Sequence, residues 1–153
     1  MVEERVQRRL AAILAADVVG YSRLMEQDEI GTLERLKSLR SEIFDPATQQ
    51  FNGRIFKNTG DGALAEFGSA VEAVRCAISI QEELRVRNAE LSDDRKLRFR
   101  IGINIGDVMA KGNDLFGDGV NVAARLEGLA EPGGICVSGS TFEQVKHKLS
   151  VGF

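Results

Sequence analysis

Apolar positions along the chain follow two kinds of spacing, one typical of strands and one typical of helices. Residues 10–19 form an aliphatic run without a helical stripe, as expected for a strand that is buried on both faces. Through residues 97–105 apolar and polar residues alternate, which predicts a strand with one buried face. In the glycine-free stretch 32–52, and again from residue 69 onward, apolar residues recur every three to four positions and predict two helices.

Glycine and proline mark where these elements turn or bend. Residues 54–59 and 63–67 predict a β-hairpin around Gly60-Asp61-Gly62, since Asp-Gly between two such runs is a strong turn signal. Pro46 is expected to bend or restart the first helix, with Asp45 kept out of the helical region of backbone conformations.

The remaining segments complete a mixed chain of strands and helices. Residues 107–111 are expected to return antiparallel to residues 97–105. Further on, the patterns predict a helix, a strand and another helix, at residues 119–129, 134–138 and 141–148. The first elements therefore run β-α-β-β-α-β, which is the ferredoxin-like pattern. We expect a single α/β (α+β) domain over residues 1–153, with further strands and helices extending this core and a mixed, mostly antiparallel central sheet.

Composition narrows the class of protein. Hydrophobic residues make up 43% and charged residues 28%, which is ordinary for a globular domain. No apolar run is long enough to predict a membrane segment, and charges begin too early for a signal peptide. The net charge of −3 disfavours nonspecific binding of nucleic acid. Two distant cysteines, Cys76 and Cys136, favour reduced thiols and a cytoplasmic location.

Topology predicts a contact between two aspartates that are far apart in sequence. In a ferredoxin-like fold the first and third strands are antiparallel neighbours, so Asp17 at the end of one should lie near Asp61 before the other. Each residue alone has a simpler explanation, as a strand-end cap or a turn residue. Together, two unpaired carboxylates repel each other, and a divalent cation would neutralise both. With His147 as the one histidine, oxygen ligands and therefore Mg²⁺ or Mn²⁺ are favoured.

Three further polar segments are candidates for ligand binding. Lys57 stands four residues before Asp61, on a strand where a plain surface lysine is the simpler interpretation. Residues 113–119 form a polar, glycine-rich turn into a helix, and either an ordinary turn or a nucleotide-binding loop explains them. Asn121 and Arg125 share one helical face, which is either a solvated stripe or the border of a binding surface.

Four blocks carry a resemblance to a known family: ILAADVVGYSRLM, RIFKNTGDGALAEF, FRIGINIGDV and DLFGDGVNVAARLEGLA. In this order and spacing they resemble the catalytic domain of the class III adenylate and guanylate cyclases, in its bacterial branch. The resemblance covers the chain from residue 10 to about residue 153. Each block alone is a weak signal, whereas the four together are specific.

The resemblance implies a metal site and a phosphate loop. Asp17 and Asp61 match the family's two metal-binding aspartates, which hold two Mg²⁺ or Mn²⁺ ions, with the backbone carbonyl of Val18 as a further ligand. The phosphate loop of the family corresponds to the backbone of Gly20, Tyr21 and Ser22.

The resemblance also implies a set of residues that bind the nucleotide. Lys57 and Asp114 match the pair that binds the purine edge, Asn121 matches the asparagine that orients the ribose, and Arg125 matches the arginine that stabilises the transition state at the α-phosphate. Adenine presents an acceptor at N1 and a donor at its 6-amino group, so a lysine donor and an aspartate acceptor complement ATP. Guanine reverses both positions, and GTP is therefore disfavoured.

The implied function is that of an adenylate cyclase that converts ATP to 3′,5′-cyclic AMP and pyrophosphate. In the family the active unit is a head-to-tail homodimer, with the metal aspartates from one subunit and the nucleotide residues from the other. The family continues beyond Phe153 with a strand pair that carries a second lysine, so a cyclase-like domain that dimerises or binds nucleotide without turnover is the alternative. A palm-type diguanylate cyclase is disfavoured, because the hairpin has the sequence NTGDG and not a Gly-Gly-Asp/Glu-Glu-Phe motif.

Overall fold

A computed structural model describes residues 5–149, so the predictions about the first residues of the chain and about Ser150 to Phe153 lie outside the described part. In this part the strands are β1 (Gln7–Val18), β2 (Arg54–Asn58), β3 (Gly62–Phe67), β4 (Phe99–Lys111), β5 (Asp114–Phe116) and β6 (Ile135–Val137). The α-helices are α1 (Tyr21–Gln27), α2 (Glu29–Leu39), α3 (Asp45–Gln50), α4 (Ala70–Asn88), α5 (Asp118–Leu129) and α6 (Gly139–Val145). A π-helical turn, Arg40–Phe44, joins α2 to α3, and a 3₁₀ turn, Asp93–Arg95, follows α4.

The sheet has the strand order β2-β3-β1-β4-β5, and β6 pairs with β4 near its start, whereas β5 pairs with its end. β6 runs parallel to β4, and the other pairs are antiparallel. This confirms the ferredoxin-like core and the mixed, mostly antiparallel sheet. β1 lies at the centre and begins as a polar strand before its buried half.

The two faces of β1 explain its lack of an amphipathic pattern. One set of alternate residues, with Leu14 at its middle, joins the main core under α2, α3 and α4. The other set, with Ile13 at its middle, joins a smaller core that contains Ala123 of α5. Both faces are therefore covered, and a strand covered on both faces is apolar throughout. Within residues 5–149 no helix combines the length and the apolar character needed to span a bilayer.

The predicted return strand at residues 107–111 is wrong. β4 runs straight through this segment to Lys111, and the chain reverses only at Gly112, whose φ of 61° is left-handed. The reason lies in β1, which extends to Gln7 and pairs there with Ala110. A long central partner supplies hydrogen bonds to β4 well past the apolar stretch, which a local hydrophobic pattern does not reveal.

The expectation for Asp45 is also wrong, because its backbone is helical at φ −63° and ψ −49°. The π-helical turn resolves the conflict with Pro46. The N–H of Asp45 donates to the carbonyl of Arg40, five residues back, and Pro46 then lies at the start of α3. At that position the missing proline N–H has no intrahelical bond to lose.

Candidate active site

Asp17 and Asp61 meet where β1 ends and the β2–β3 hairpin turns. β1 and β3 pair with Asp17 opposite Gly62, and the N–H of Val18 donates to the carbonyl oxygen of Asp61 at 3.0 Å. A Cβ atom at Gly62 would collide with the carbonyl oxygen of Ala16, so glycine permits this close approach. The structure therefore brings together the two aspartates that the topology had placed side by side.

A third acidic residue, Glu127, completes a carboxylate cluster with Asp17 and Asp61. Burial raises the pKa of Asp17 to about 8, and hydrogen-bond contact with Asp61 and with Glu127, together with their charges, adds to this rise. Burial also raises the pKa of Glu127, and the charge of Asp61 acts in the same direction, whereas the contact with Asp17 and the charge of Arg100 oppose it. The carboxylate cluster thus lacks enough positive charge to keep all of its members ionised.

Sequence reasoning missed Glu127, which reaches the cluster because α5 lies directly on the sheet. A Cβ atom at Gly102 of β4 would collide with the backbone of both Ala123 and Glu127. Glu127 follows the fully buried Ala123 by four residues and therefore lies on the same helical face. That spacing was a usable signal, since it places a carboxylate on the sheet-facing side of the predicted helix.

The donor set of the carboxylate cluster suits a hard divalent cation. Asp17 Oδ1 is buried and has no hydrogen-bond partner among the described residues. Across residues 5–149 no group of three or more His, Cys, Asp or Glu side chains is arranged to hold a metal by itself. Backbone oxygens, such as the predicted carbonyl of Val18, or substrate oxygens would have to complete the coordination, as is usual for Mg²⁺.

The segment that follows β1 turns sharply into α1. Gly20 has a left-handed backbone, with φ 66° and ψ 34°, and precedes the first helical residue, Tyr21. No side chain caps this helix start in the described structure. Gly20, Tyr21 and Ser22 therefore lie two to four residues beyond Val18, and their role as a phosphate loop stays a prediction.

The purine pair lies on two strands from opposite ends of the sheet order, which the curled sheet brings together. Arg54 of β2 donates from Nη1 to the carbonyl oxygen of Asn113 at 2.9 Å, directly before Asp114. Glu66 of β3 forms ion pairs with Arg54 and with Arg9 of β1, each at 2.6 Å. This network ties the strand of Lys57 to the turn that carries Asp114.

The side chains of the purine pair are held differently. The side chain of Lys57 is exposed and forms no hydrogen bond or ion pair within residues 5–149, although the backbone pairs with Leu64 of β3. Asp114 is also exposed, and its Oδ1 accepts a hydrogen bond from the N–H of Leu115 at 2.9 Å. That bond fixes the orientation of the Asp114 carboxylate, while the lysine remains free to meet a ligand.

Asn121 and Arg125 point away from the carboxylate cluster of their own chain. Both are exposed, and neither side chain has a partner in the described part of the molecule. Glu127, which contacts Asp17, is only two residues beyond Arg125, and side chains at that spacing lie on nearly opposite sides of a helix. One chain therefore does not bring Arg125 to Asp17.

Comparison with known proteins decides the family. The family model described as the adenylate and guanylate cyclase catalytic domain matches residues 4–152. This chain belongs to that family. The class III resemblance drawn from the four sequence blocks is confirmed, and so is the fold that it implied.

Individual cyclases give the same result. The chain is 51% identical over 153 residues to a Rhizobium meliloti (strain 1021) protein named "Putative adenylate cyclase 3", covering 100% of this chain and 26% of that protein. It is 32% identical over 146 residues to an adenylate cyclase of Streptomyces coelicolor, covering 94% of this chain and 36% of that protein. A crystal structure of an adenylate/guanylate cyclase/hydrolase from Silicibacter pomeroyi superposes with a TM-score of 0.92 at 49% identity, covering 97% and 87% of the two chains.

The cyclase domain is one part of its larger relatives. The chain spans 26% and 36% of the length of the two relatives named above.

A cleft of about 500 Å³ lies away from the candidate residues, between α4 and the start of β4, with Gln81 and Lys96 in its lining. None of the candidate site residues lines that cleft.

Proposed function

We propose that this chain is the catalytic domain of an adenylate cyclase, which converts ATP to 3′,5′-cyclic AMP and pyrophosphate. The observation that carries the proposal is the junction of Asp17 and Asp61, two carboxylates held together by strand pairing in a chain of the cyclase family. The cytoplasmic location expected from the sequence belongs to the same proposal, because ATP is supplied there.

The metal ions would be held by Asp17, Asp61 and the carbonyl of Val18. When bound, two Mg²⁺ or Mn²⁺ ions would supply the positive charge that favours loss of the ribose 3′-hydroxyl proton and neutralises the triphosphate. The buried, unpartnered Oδ1 of Asp17 supports this assignment, since a buried carboxylate oxygen without a donor is costly. The backbone of Gly20, Tyr21 and Ser22 would contact the phosphates beside these ligands.

The bond changes in the reaction are simple, and the chain supplies mainly position and charge. The 3′-hydroxyl gives its proton to water, its oxygen forms a bond to the α-phosphorus while the bond from that phosphorus to the bridging oxygen breaks, and pyrophosphate leaves with the electron pair of that bond. Asn121 would orient the ribose for this in-line attack. The guanidinium of Arg125 would stabilise the negative charge that increases on the α-phosphate oxygens.

Preference for ATP would come from Lys57 and Asp114. The ammonium of Lys57 would donate to N1 of adenine, and the carboxylate of Asp114 would accept from the 6-amino group. The bond from Leu115 N–H to Asp114 Oδ1 and the tie from Arg54 to Asn113 support this role, because both restrict where the acceptor can point.

The active unit would be a head-to-tail homodimer. Arg125 faces away from Asp17 of its own chain, so a reaction that needs both residues requires a second copy. In such a dimer the carboxylate cluster of one subunit would face Lys57, Asp114, Asn121 and Arg125 of the other, and two equivalent sites would form.

A product assay tests the proposal. The purified chain is incubated with Mn²⁺ and either ATP or GTP, and the nucleotides are separated by chromatography. We expect cyclic AMP from ATP and at least about tenfold less cyclic GTP from GTP. A dimer that binds ATP with Mn²⁺ but releases no cyclic product would contradict the enzyme and favour the non-catalytic alternative.

A further inference from the structure

The side chain of Arg40 donates hydrogen bonds to the backbone of the hairpin loop that carries Asp61. Its Nη2 atom donates to the carbonyl oxygen of Thr59 at 2.6 Å and to that of Gly62 at 2.9 Å. A longer contact of 3.5 Å reaches the carbonyl oxygen of Gly60. The guanidinium therefore holds backbone atoms on both sides of Asp61.

The loop has little other support on its outer side. Thr59 and Gly60 are exposed, and a Cβ atom at Gly60 would meet nothing within 4 Å. The loop closes on itself through one bond, from Thr59 N–H to the Gly62 carbonyl at 3.0 Å, and joins β1 through the bond from Val18 N–H to the Asp61 carbonyl. Two of the three loop carbonyls that contact Arg40 are thus at the ends of the turn that sets the position of the Asp61 carboxylate.

Arg40 extends to the loop from a helical segment that is packed into the main core. It is the first residue of the π-helical turn Arg40–Phe44, and its neighbours Leu39, Ile43 and Phe44 are buried in the main core. On the outer side of the same turn, Glu42 forms an ion pair with Arg87 of α4 at 2.6 Å. Helical segments of the π type frequently occur at functional sites.

Within residues 5–149 the side chain of Arg40 has no hydrogen-bond or ion-pair partner other than the hairpin loop. Arg40 forms no ion pair there, and its Nε atom is buried without a hydrogen-bond partner. Its hydrogen bonding is concentrated on Nη2 and on the loop carbonyls. Guanidinium bonds to carbonyls are charge-assisted and stronger than neutral ones, so they can set the loop geometry.

We infer that Arg40 is a positioning residue for the divalent-cation site, which fixes the Asp61 loop so that its carboxylate stays beside Asp17. The metal part of this inference rests on the proposed function. Removal of a residue that orients a metal ligand without binding the metal typically lowers metal affinity by about 10–100-fold. Arg40 acts on the backbone of the loop and does not itself touch the metal or the substrate.

The test compares Arg40→Gln with Arg40→Lys and with a matched control, Arg87→Gln. The control removes an arginine contact from the same π-helical turn without touching the hairpin. Mn²⁺ affinity is measured from the electron paramagnetic resonance signal of the free ion. Exchange of the Thr59 and Val18 amide hydrogens, whose bonds close the loop and join it to β1, is followed by NMR.

We expect Arg40→Gln to raise the Kd for Mn²⁺ by about 10–100-fold and to speed exchange at Thr59 and Val18 by at least about tenfold. Arg40→Lys keeps the charge and should show a smaller loss, about two- to tenfold in Kd, because one ammonium can still reach a carbonyl. Arg87→Gln should stay within about twofold of the wild type, since exposed ion pairs contribute little. In the cyclase assay, excess Mn²⁺ should restore much of the rate of Arg40→Gln.

Four results would overturn the inference. They are an unchanged Kd in folded Arg40→Gln, an unchanged exchange rate at Thr59, an equal loss in Arg87→Gln, and a wild type that binds no Mn²⁺. If Arg40→Gln does not fold, Arg40→Lys replaces it in the test. A weaker affinity for Mn²⁺ in Arg40→Lys than in Arg87→Gln then supports the inference, and equal affinities overturn it. A wild type that binds Mn²⁺ but makes no cyclic product contradicts the proposed cyclase, while the comparison of the variants still decides the role of Arg40.

Discussion

The carboxylate cluster and the predicted nucleotide residues differ in how the chain holds them. Asp17 is held by the pairing of β1 with β3 and by contact with Glu127, and Asp61 is held beside it by the hydrogen bond from Val18 N–H, so one chain brings the carboxylates together. Lys57, Asn121 and Arg125 are exposed and have no side-chain partner in residues 5–149. In the proposed dimer, such a site would be preorganised on one side and completed by a second copy on the other.

The largest effect is expected from substitutions in the carboxylate cluster, which is the preorganised side of the site. Asp17→Ala or Asp61→Ala should lower cyclase activity by roughly 1,000-fold or more, because several kcal/mol of charge stabilisation depend on the metal. The fold should survive, since each change removes one charge from a repelling cluster. Glu26→Gln, an exposed acidic residue on α1, is the control and should keep full activity. Turnover of either aspartate variant at the wild-type rate with Mn²⁺ would remove the metal assignment.

The second prediction tests whether the two sides come from different chains. Asp17→Ala and Arg125→Ala should each be inactive alone, and mixing them should restore about a quarter of wild-type activity, if the sites act independently. Random pairing makes about half of the dimers mixed, and each mixed dimer has one intact site of two. The measurement is cyclic AMP formation before and after subunit exchange, with exchange verified by mass spectrometry of tagged chains.

No recovery after verified exchange would mean that Asp17 and Arg125 act within one chain. That outcome would conflict with the opposite directions of Arg125 and Glu127 on α5. Mixing Asp17→Ala with Asp61→Ala is the matched control. These two lesions lie on the same side of the site, so no mixed dimer should regain a complete site.

The third prediction sharpens the nucleotide side. Lys57→Glu combined with Asp114→Cys should shift preference from ATP toward GTP by about 10–100-fold, because mismatched donors and acceptors cost about 1–3 kcal/mol each. The ratio of kcat/KM for the two nucleotides measures the shift. Arg54→Gln should change the preference for ATP over GTP less, because it removes the hydrogen bond to the Asn113 carbonyl and leaves Lys57 and Asp114 in place. A double variant that keeps its ATP preference at full activity would exclude this pair as the purine reader.

The smallest effect concerns the stability of the metal-free protein. The folded-state pKa of Asp17 is about 8, above its ordinary value of 3.8, so the folded state binds the extra proton. Stability should therefore fall as pH rises from about 4 to about 8 and then level off. Asp17→Asn removes this loss and should stabilise the protein at pH 8 by about 1–2 kcal/mol after allowance for solvent screening, roughly 2–8 °C in Tm.

Thermal unfolding with a chelator present, across this pH range, checks the effect. Glu127→Gln should reduce the loss in part, because it removes one of the charges that raise the pKa of Asp17. A Tm difference between Asp17→Asn and the wild type that does not change with pH would show that Asp17 does not carry the proton. Saturating Mn²⁺ should reverse the order, since only the wild type keeps both carboxylate ligands.

Much of the fold was predictable because its signals are local. The strand at β4 has a strict alternation, the hairpin has Asp-Gly at its turn, and α5 begins after a glycine-rich segment. The contact of Asp17 with Asp61 was also predictable, although it is long-range, because the element order dictates which strands pair. The roles of the site residues came from the family resemblance and stay predictions that the experiments above test.

The sequence by itself determined most of the strands and helices, though not α1, β5 or the end of β4, and through the element order it determined that Asp17 and Asp61 meet. Only the tertiary structure decided the full length of β4, the contact of Glu127 with Asp17, and the hydrogen bonds of Arg40 to the hairpin loop. The physical reason is that these three features depend on packing between segments that are distant in sequence. Hydrophobic periodicity reports which face of an element is buried, but it does not report which polar side chain at its edge finds a partner across the fold.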